Sequence, residues 1–200
     1  MRSMLKPTIS LFVICVAVAA ALAFTYLGTK DAKSLREELE TKNTMKEVLP
    51  EAEKFEPIKD INALAGSRTD YSIIKDAYKG FKEKSLAGYV FLVESKGYGG
   101  IIKISVGIDT TGRIAGVKIG ENNETPGLGA KAAEEPFISQ FKGLTPAEKL
   151  KVVKNEKTKP EEIEAISGAT ITSKAVVRAV QAAVEMASEI NKTNEGVSGQ

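Results

Sequence analysis

The longest apolar stretch of the chain lies close to its N-terminus. Residues 7–29 carry no charged side chain, and residues 9–27 are almost wholly apolar. A helix of about 20 apolar residues spans the roughly 30 Å hydrocarbon core of a bilayer. The pattern therefore predicts one transmembrane helix over residues 7–29, preceded by a short segment at residues 1–6.

Basic residues on either side of this helix bear on its orientation. Arg2 and Lys6 precede it, which favours a cytoplasmic N-terminus, although basic residues also follow it. Because long downstream domains translocate largely regardless of charge, we expect a single-pass protein of the cell membrane with its soluble domain on the extracytoplasmic side. A signal peptide cleaved after Ala23, with Ala21 and Ala23 as the small residues of the site, is the alternative, but the apolar run continues to Leu27 and favours a retained anchor.

The segment after the apolar run is rich in charges of both signs. Between residues 31 and 47, Leu35 and Leu39 share one helical face, and Glu38 lies four residues before Lys42. This spacing predicts a solvated helix, which Pro50 would end. We assign residues 30–84 to a helical stalk and linker, in which residues 72–84 are expected to be a helix or a mixed segment.

Alternation of apolar and polar residues dominates the middle of the chain. Residues 88–95 are rich in β-forming side chains, and apolar residues occupy every second position from 102 to 108. The sequence Asp-Thr-Thr-Gly at 109–112 predicts a turn, after which residues 114–119 form the returning strand of a hairpin. These features predict a central, mainly antiparallel sheet.

Helical signals follow the predicted sheet. Thr145, Pro146 and Glu148 combine a cap, a proline at the first helical position and an acid. A last helix starts near Ser173 and places valines on one face. We therefore predict an α+β protein: a single domain at residues 85–190 with helices flanking the sheet, and a flexible tail at residues 191–200.

Composition restricts the chemistry that the chain can perform by itself. Outside the first 30 residues there are 25 basic and 26 acidic side chains, so the body is nearly neutral and nucleic acid is not an expected partner. The sequence has no His, and its only cysteine is Cys15. Haem with a His ligand, structural zinc, iron–sulfur clusters and Ser-His-Asp triads need ligands that this chain does not supply alone. Redox chemistry would require an organic cofactor or a partner.

One segment just before the last helix is a candidate phosphate site. Residues 167–170 read Ser-Gly-Ala-Thr, and Thr172 and Ser173 follow. Gly and Ala let a bulky group approach the backbone, and a helix N-terminus attracts anions. An ordinary loop in which Thr172 or Ser173 caps the helix is the alternative.

Two further segments are unspecific individually but occur in a fixed order with the first. Residues 124–129 read Glu-Thr-Pro-Gly-Leu-Gly, and residues 97–100 read Gly-Tyr-Gly-Gly. After an N-terminal anchor, these three segments resemble the family of the G subunit of the Rnf electron-transport complex. That family is related to the C subunit of the sodium-pumping NADH:quinone reductase. The resemblance covers the anchor and residues 86–184.

The resemblance implies an FMN-binding domain and a position for each motif. Flavin mononucleotide (FMN) would be joined covalently through its phosphate to the hydroxyl of Thr170, by a flavin transferase. The surroundings of the attachment point would be Ser167, Gly168, Ala169 and Thr172. The isoalloxazine ring would lie along Glu124, Thr125 and Leu128, with Tyr98, Gly99 and Gly100 lining its other side.

The resemblance also implies a function and partners. The chain would relay electrons within an ion-translocating ferredoxin:NAD oxidoreductase, together with other membrane and soluble subunits and membrane lipid. It would need no catalytic acid, catalytic base or metal of its own. Two alternatives stay open: the C subunit of the NADH:quinone reductase, and a non-redox membrane-anchored module whose Thr-rich loop only caps a helix.

Overall fold

The computed structural model describes the backbone of residues 2–59, 71–154 and 156–197. Side chains are described over the same ranges except at residues 2–7, 27, 29–35, 37 and 194–197. The chain forms two compact units, Met1–Lys42 and Asn43–Gln200.

A single long helix, α1 (Arg2–Val48), contains both the apolar run and the charged segment after it. Its portion Thr8–Tyr26 is long and apolar enough to cross a membrane, with a mean hydropathy of 2.5. The predicted helix over residues 31–47 is confirmed, and exposed i,i+4 pairs link Arg36 to Glu40 and Lys42 to Glu38. The helix ends at Val48, because the residue before Pro50 is disfavoured in helical geometry.

The centre of the second unit is a five-stranded antiparallel sheet. Its order is that of the sequence: β1 (Lys54–Pro57), β2 (Ile74–Lys82), β3 (Ser85–Lys96), β4 (Ile101–Asp109) and β5 (Ile114–Ile119). A small parallel pair, β6 (Lys151–Val153) and β7 (Glu162–Glu164), lies outside this sheet. A 3₁₀ helix (Gly129–Ala133), a short helix α2 (Glu135–Ile138) and the long helix α3 (Thr170–Val197) complete the described elements. The α+β class and the antiparallel sheet are thus confirmed.

The helix or mixed segment predicted at residues 72–84 is wrong. These residues contain β2, which pairs with β1 on one side and β3 on the other. Register irregularities between Ile74 and Asp76 and between Gly80 and Phe81 break the two-residue alternation that identifies a strand. The sheet therefore begins upstream of residue 85.

The helix predicted from Thr145 is also wrong, since residues 144–150 form no helix and contain a bend at residues 147–148. Both ends of this segment are bonded to other elements: Leu144 accepts a hydrogen bond from the N–H of Ile114, and the Leu150 N–H donates to Gln181 Oε1 at 2.9 Å. These two hydrogen bonds fix both ends of the segment to other elements, and the capping signal at Thr145 does not begin a helix.

The bounds of the last helix differ from the prediction at both ends. It begins at Thr170, three residues before Ser173, because the Ser173 hydroxyl bonds back to the Ala169 carbonyl and accepts the N–H of Ile166, each at 3.0 Å. The helix extends to Val197, whereas a flexible tail was predicted from residue 191 onwards. Asn191 is tied to the sheet, because its side-chain oxygen accepts a hydrogen bond from the Tyr89 hydroxyl at 2.9 Å. Residues 198–200 of that tail lie outside the described residues.

The sheet is covered on both faces. Helix α3 packs on one face and buries the main core, which includes Tyr89, Phe91, Val180 and Met186. The segment Met45–Ala52 packs on the other face with Val90. A Cβ at Gly107 would overlap the carbonyl oxygen of Val48, so a glycine is required for this close approach.

The turn between β4 and β5 is organised by one carboxylate. Asp109 is 8% exposed and accepts hydrogen bonds from the N–H and hydroxyl of Thr111 and from the N–H and Nε of Arg113. Burial raises the pKa of Asp109, but the hydrogen bonds from Thr111 and Arg113 outweigh it, so that the pKa lies below its ordinary value. The turn is therefore most stable with this carboxyl ionised.

We expect Asp109→Asn to lower the free energy of unfolding by about 1–3 kcal/mol at pH 7, because hydrogen bonds to a charged acceptor are lost. The pKa of Asp109 in the folded chain lies below its ordinary value of 3.8, so the ionised carboxyl stabilises the fold in full above about pH 3.8. This stabilisation is lost as the pH falls through the pKa of the folded chain. Circular dichroism of the full chain in detergent, followed during thermal unfolding at several pH values, measures the difference. The exposed Asp76→Asn is the matched control. Equal effects of the two variants at pH 7 would contradict this account.

Candidate functional site

The carboxylate of Glu124 joins two separate parts of the chain. Its side chain is 6% exposed, yet Oε2 accepts the hydroxyl of Thr172 at 2.6 Å and Oε1 accepts the N–H of Gly99 at 2.9 Å. Gly99 lies in the turn between β3 and β4, whereas Thr172 lies in the first turn of α3. All three predicted segments therefore meet at this one side chain.

Close packing around Glu124 explains two glycines of the neighbouring loops. A Cβ at Gly129 would lie 2.5 Å from Glu124 Oε2 and 2.9 Å from Thr172 Oγ1. A Cβ at Gly97 would overlap Glu124 Oε1 and lie 2.5 Å from Ile102 Cδ1. Neither position has room for a side chain without displacing the carboxylate.

The first turn of α3 carries the predicted attachment residue. Thr170 is the first residue of the helix and is half-buried, while Ser167 and Gly168 before it are exposed and Ala169 is buried. Gly168 has φ +75°, a conformation that favours glycine, and a Cβ there would lie 3.1 Å from Leu128 Cδ2. The loop Ser167–Ala169 therefore passes close to Leu128 just before the chain enters the helix.

The segment 124–129 presents apolar surface at the site. Leu128 is 44% exposed, and its N–H bonds to the carbonyl of Thr125 at 3.1 Å, which closes a tight turn. The side chain of Thr125 is exposed. Ile171 of α3 is 56% exposed. Leu128 and Ile171 therefore leave apolar side chains exposed on two of the segments that form the site.

The turn 97–100 is closed by a hydrogen bond of 2.8 Å from the Gly97 N–H to the Gly100 carbonyl. At its tip Tyr98 is 72% exposed, and a Cβ at Gly99 would overlap the carbonyl of Asn123. Gly99 is thus bound to the Glu124 segment. Gly100 and Tyr98 are placed by the turn itself, without a described contact to α3.

Gln140 was not predicted, although it fixes the strand that leads into the site. Its side-chain oxygen accepts the N–H of Glu164 at 2.8 Å, and its amide nitrogen donates to the Glu164 carbonyl at 3.3 Å. Glu164 is at the end of β7, six residues before Thr170. No local pattern reveals such a pair, because its members are 24 residues apart. The need for glycine at positions 97 and 129 was also not predicted, because it arises from the packing of the Glu124 side chain. Both glycines do lie in the segments 97–100 and 124–129 that the sequence analysis singled out.

A cleft of about 400 Å³ borders the loop at Ser167, between the 3₁₀ helix, α2 and β7. Lys131, Glu134 and Glu164 line it with both signs of charge. No cluster of acidic or Cys side chains able to hold a metal ion occurs among the residues that the structure describes. The features assembled at the start of α3 are therefore hydroxyls, backbone N–H groups and apolar surface.

These features fit a flavin nucleotide, and comparison with known proteins agrees. The family model of the FMN-binding domain matches residues 97–185, which include all three segments of the site. The crystal structure of NqrC from Shewanella oneidensis shares the fold, with a TM-score of 0.52 and 25% identity over 64% of this chain and 67% of that chain. The fold and the site define an FMN-binding domain.

Curated relatives specify the family further. The G subunit of the Na(+)-translocating ferredoxin:NAD(+) oxidoreductase complex of Acetobacterium woodii is 38% identical, covering 91% of this chain and 90% of the relative. The G subunit of the proton-translocating complex of Clostridium ljungdahlii is 35% identical, covering 92% and 91%. The chain belongs to the family of the G subunit of the ion-translocating (Rnf) oxidoreductase complexes. This membership favours the first of the two related families that the sequence resembles.

We expect Glu124→Ala to loosen the site, because it leaves the buried Thr172 hydroxyl without its acceptor, at about 1–3 kcal/mol, and also removes the acceptor of the more exposed Gly99 N–H. Glu124→Gln should cost less, since its amide oxygen can accept from Gly99 while its amide nitrogen donates to Thr172. Hydrogen–deuterium exchange of peptides covering residues 97–100 and 169–175 measures the loosening. Indistinguishable exchange in the Ala and Gln variants would refute this role of the side chain.

Proposed function

We propose that this chain is the membrane-anchored electron-transfer subunit of an ion-translocating ferredoxin:NAD(+) oxidoreductase complex, and that it holds FMN through a phosphoester to Thr170. The observation that carries the proposal is the meeting of three loop segments at the first turn of α3 through Glu124. Family membership and the match of the FMN-binding domain model support it.

The start of α3 suits a phosphate. The N–H groups of Thr170, Ile171 and Thr172 are the first three of the helix, and such groups have no intrahelical acceptor. The positive end of the helix dipole favours an anion there by about 0.3–1 kcal/mol at an exposed site. Gly168 and Ala169 keep bulky side chains away from the approach to the Thr170 hydroxyl.

The loops beside Thr170 suit the flavin ring. Leu128 and Ile171 offer exposed apolar surface next to the attachment point, and Tyr98 offers an exposed aromatic side chain on the neighbouring turn. Glu124 uses both carboxylate oxygens within the protein, so we assign it to positioning the loops. When bound, FMN supplies transfer of one or two electrons. The role of the chain is to position the flavin and shield it.

The phosphoester requires an activated donor, since a free phosphate does not esterify a hydroxyl in water to a useful extent. We propose that the Thr170 oxygen attacks the flavin-bearing phosphorus of a flavin nucleotide with a pyrophosphate bond. The new P–O bond forms as the pyrophosphate P–O bond breaks, the leaving nucleotide takes the electron pair, and the hydroxyl proton is released. A flavin transferase would catalyse this step, because the chain supplies no His and no described acidic cluster for metal binding at the site.

We expect the natively produced chain to exceed its polypeptide mass by that of FMN less one water, and Thr170→Ala to have the polypeptide mass alone. The wild-type band should fluoresce in a denaturing gel, and the Thr170→Ala band should be dark. The neighbouring Thr172→Ser, which keeps its hydroxyl, is the control and should fluoresce. A non-redox module whose loop only caps α3 would be dark in all three. Peptide mapping that places the flavin on another residue would also refute the attachment at Thr170.

We further propose that the span Thr8–Tyr26 anchors the chain in the membrane with residues 1–6 in the cytoplasm and the second unit outside. The support is the apolar helix and Arg2 and Lys6 before it. Membrane lipid and the other membrane and soluble subunits of the complex would then be the partners of this chain.

We expect a cysteine introduced at Lys84, in the exposed turn between β2 and β3, to react with a membrane-impermeant maleimide in intact cells. The background is Cys15→Ser, which removes the only native cysteine. A cysteine at Ser3 is the control, and it should react only after the cells are permeabilised. The reverse pattern would place the domain in the cytoplasm, and absence of the N-terminal peptide from the mature chain would indicate a cleaved signal peptide.

A further inference from the structure

A second cleft lies along α3 on the side of β6. It has a volume of about 670 Å³, within the range of ligand and peptide sites, and lies between α3, β6 and the start of β2. Four basic side chains line it: Lys149, Lys151, Lys174 and Arg178. The body of the protein is nearly neutral, so this concentration of positive charge is local.

The positive charge of this cleft is largely uncompensated. Among the described residues that line it, Glu185 is the only acid, and it accepts a hydrogen bond from Gln181 at 2.8 Å and lies 3.8 Å from Lys149 Nζ. Lys151, Lys174 and Arg178 have no acidic partner within 4.0 Å among the residues that the structure describes. An anionic group entering the cleft would therefore meet three available cations.

The cleft is held in shape by hydrogen bonds from its own residues. Arg178 Nη2 donates to the hydroxyl of Ser95, a fully buried residue of β3, at 3.0 Å, so the guanidinium is oriented before any ligand binds. Gln181 accepts the N–H of Leu150 at 2.9 Å and fixes the segment that carries Lys149 and Lys151. Apolar lining is supplied by Ile73, Leu150, Val152, Val177 and Ala182.

The cleft begins one helical turn from the proposed flavin residue. Lys174 and Arg178 follow Thr170 by four and eight residues, a spacing that places all three along one side of α3. A protein segment in the cleft would thus lie beside the flavin, where an electron-exchange partner has to bind. This arrangement favours a macromolecular partner over a small anion.

We propose that this cleft docks an acidic segment of a neighbouring subunit, with carboxylates facing the three cations and apolar side chains against Leu150 and Val177. The proposal rests on the proposed function, since it places the partner next to the flavin. The complementary charge would orient the two subunits and speed their encounter.

Carbodiimide cross-linking of the assembled, affinity-purified complex tests the contact. The reagent joins a lysine amine and a carboxylate in direct contact as an amide, and it takes up the water that is lost. We expect Lys149, Lys151 or Lys174 in cross-linked peptides with an acidic residue of another subunit. Cross-links of these lysines only to acids of this same chain would overturn the proposal.

Charge reversal provides the quantitative test. Lys149→Glu with Lys151→Glu lies outside α3 and leaves the helix that carries Thr170 unchanged. The matched control is Lys82→Glu with Lys84→Glu, the same charge change at two exposed positions, the last residue of β2 and the turn that follows it. We expect the first pair to reduce the amount of neighbouring subunit retained on the tagged chain at moderate salt by at least about tenfold, and the control pair to leave it unchanged.

Two further measurements separate the possible failures. Flavin fluorescence of the denatured chain should be equal in both double variants and in the wild type, so a dark wild-type band counts against attachment at Thr170, independently of docking. Equal retention by the two double variants would refute docking even where fluorescence is normal. Retention that falls with free glutamate or phosphate, without any cross-link between subunits, would identify a small-anion site and likewise overturn the proposal.

Discussion

The buried carboxylate of Glu124 is the constraint on which the site depends. It accepts one hydrogen bond from the turn 97–100 and one from the first turn of α3, so that two elements distant in sequence are held at fixed separation. Removing this acceptor would leave the buried Thr172 hydroxyl without it, which costs more than the hydrogen bond itself contributes. The glycines at 97 and 129 follow from the same constraint, because the carboxylate occupies the space that their side chains would need.

Much of the fold could be predicted from local patterns. β-forming side chains identified β3, alternation of apolar and polar residues identified β4, and the turn at 109–112 identified β5 as its returning partner. The apolar run and the charged segment after it identified α1, and the helical spacing of valines identified most of α3. Prediction failed where long-range contacts decide the conformation. Two register irregularities interrupt the alternation of β2. Hydrogen bonds at Leu144 and Leu150 tie both ends of a segment that begins with a helix signal to other elements, and this segment forms no helix. In both places tertiary structure overrides a local preference.

The site shows the same division between local and long-range information. Residue types identified 167–170 as a place of close backbone approach, and the family resemblance added the segments 97–100 and 124–129. The structure brings these segments together at Glu124, Leu128 and the first turn of α3. The sequence does not reveal that Glu124 is the joining residue, or that Gln140 fixes the backbone of Glu164 from 24 positions away. These contacts depend on how the sheet and α3 pack, which no motif encodes.

The two clefts beside α3 differ in a way that suits distinct roles. The one at Ser167 has both signs of charge, whereas the one at Lys174 has an excess of positive charge. Thr170 lies between Ser167 and Lys174 in the sequence. A flavin on its hydroxyl would therefore lie between a surface with both signs of charge and a basic surface. On the proposed function, the cofactor would transfer the electrons, and the surface charge around it would select the partner that approaches.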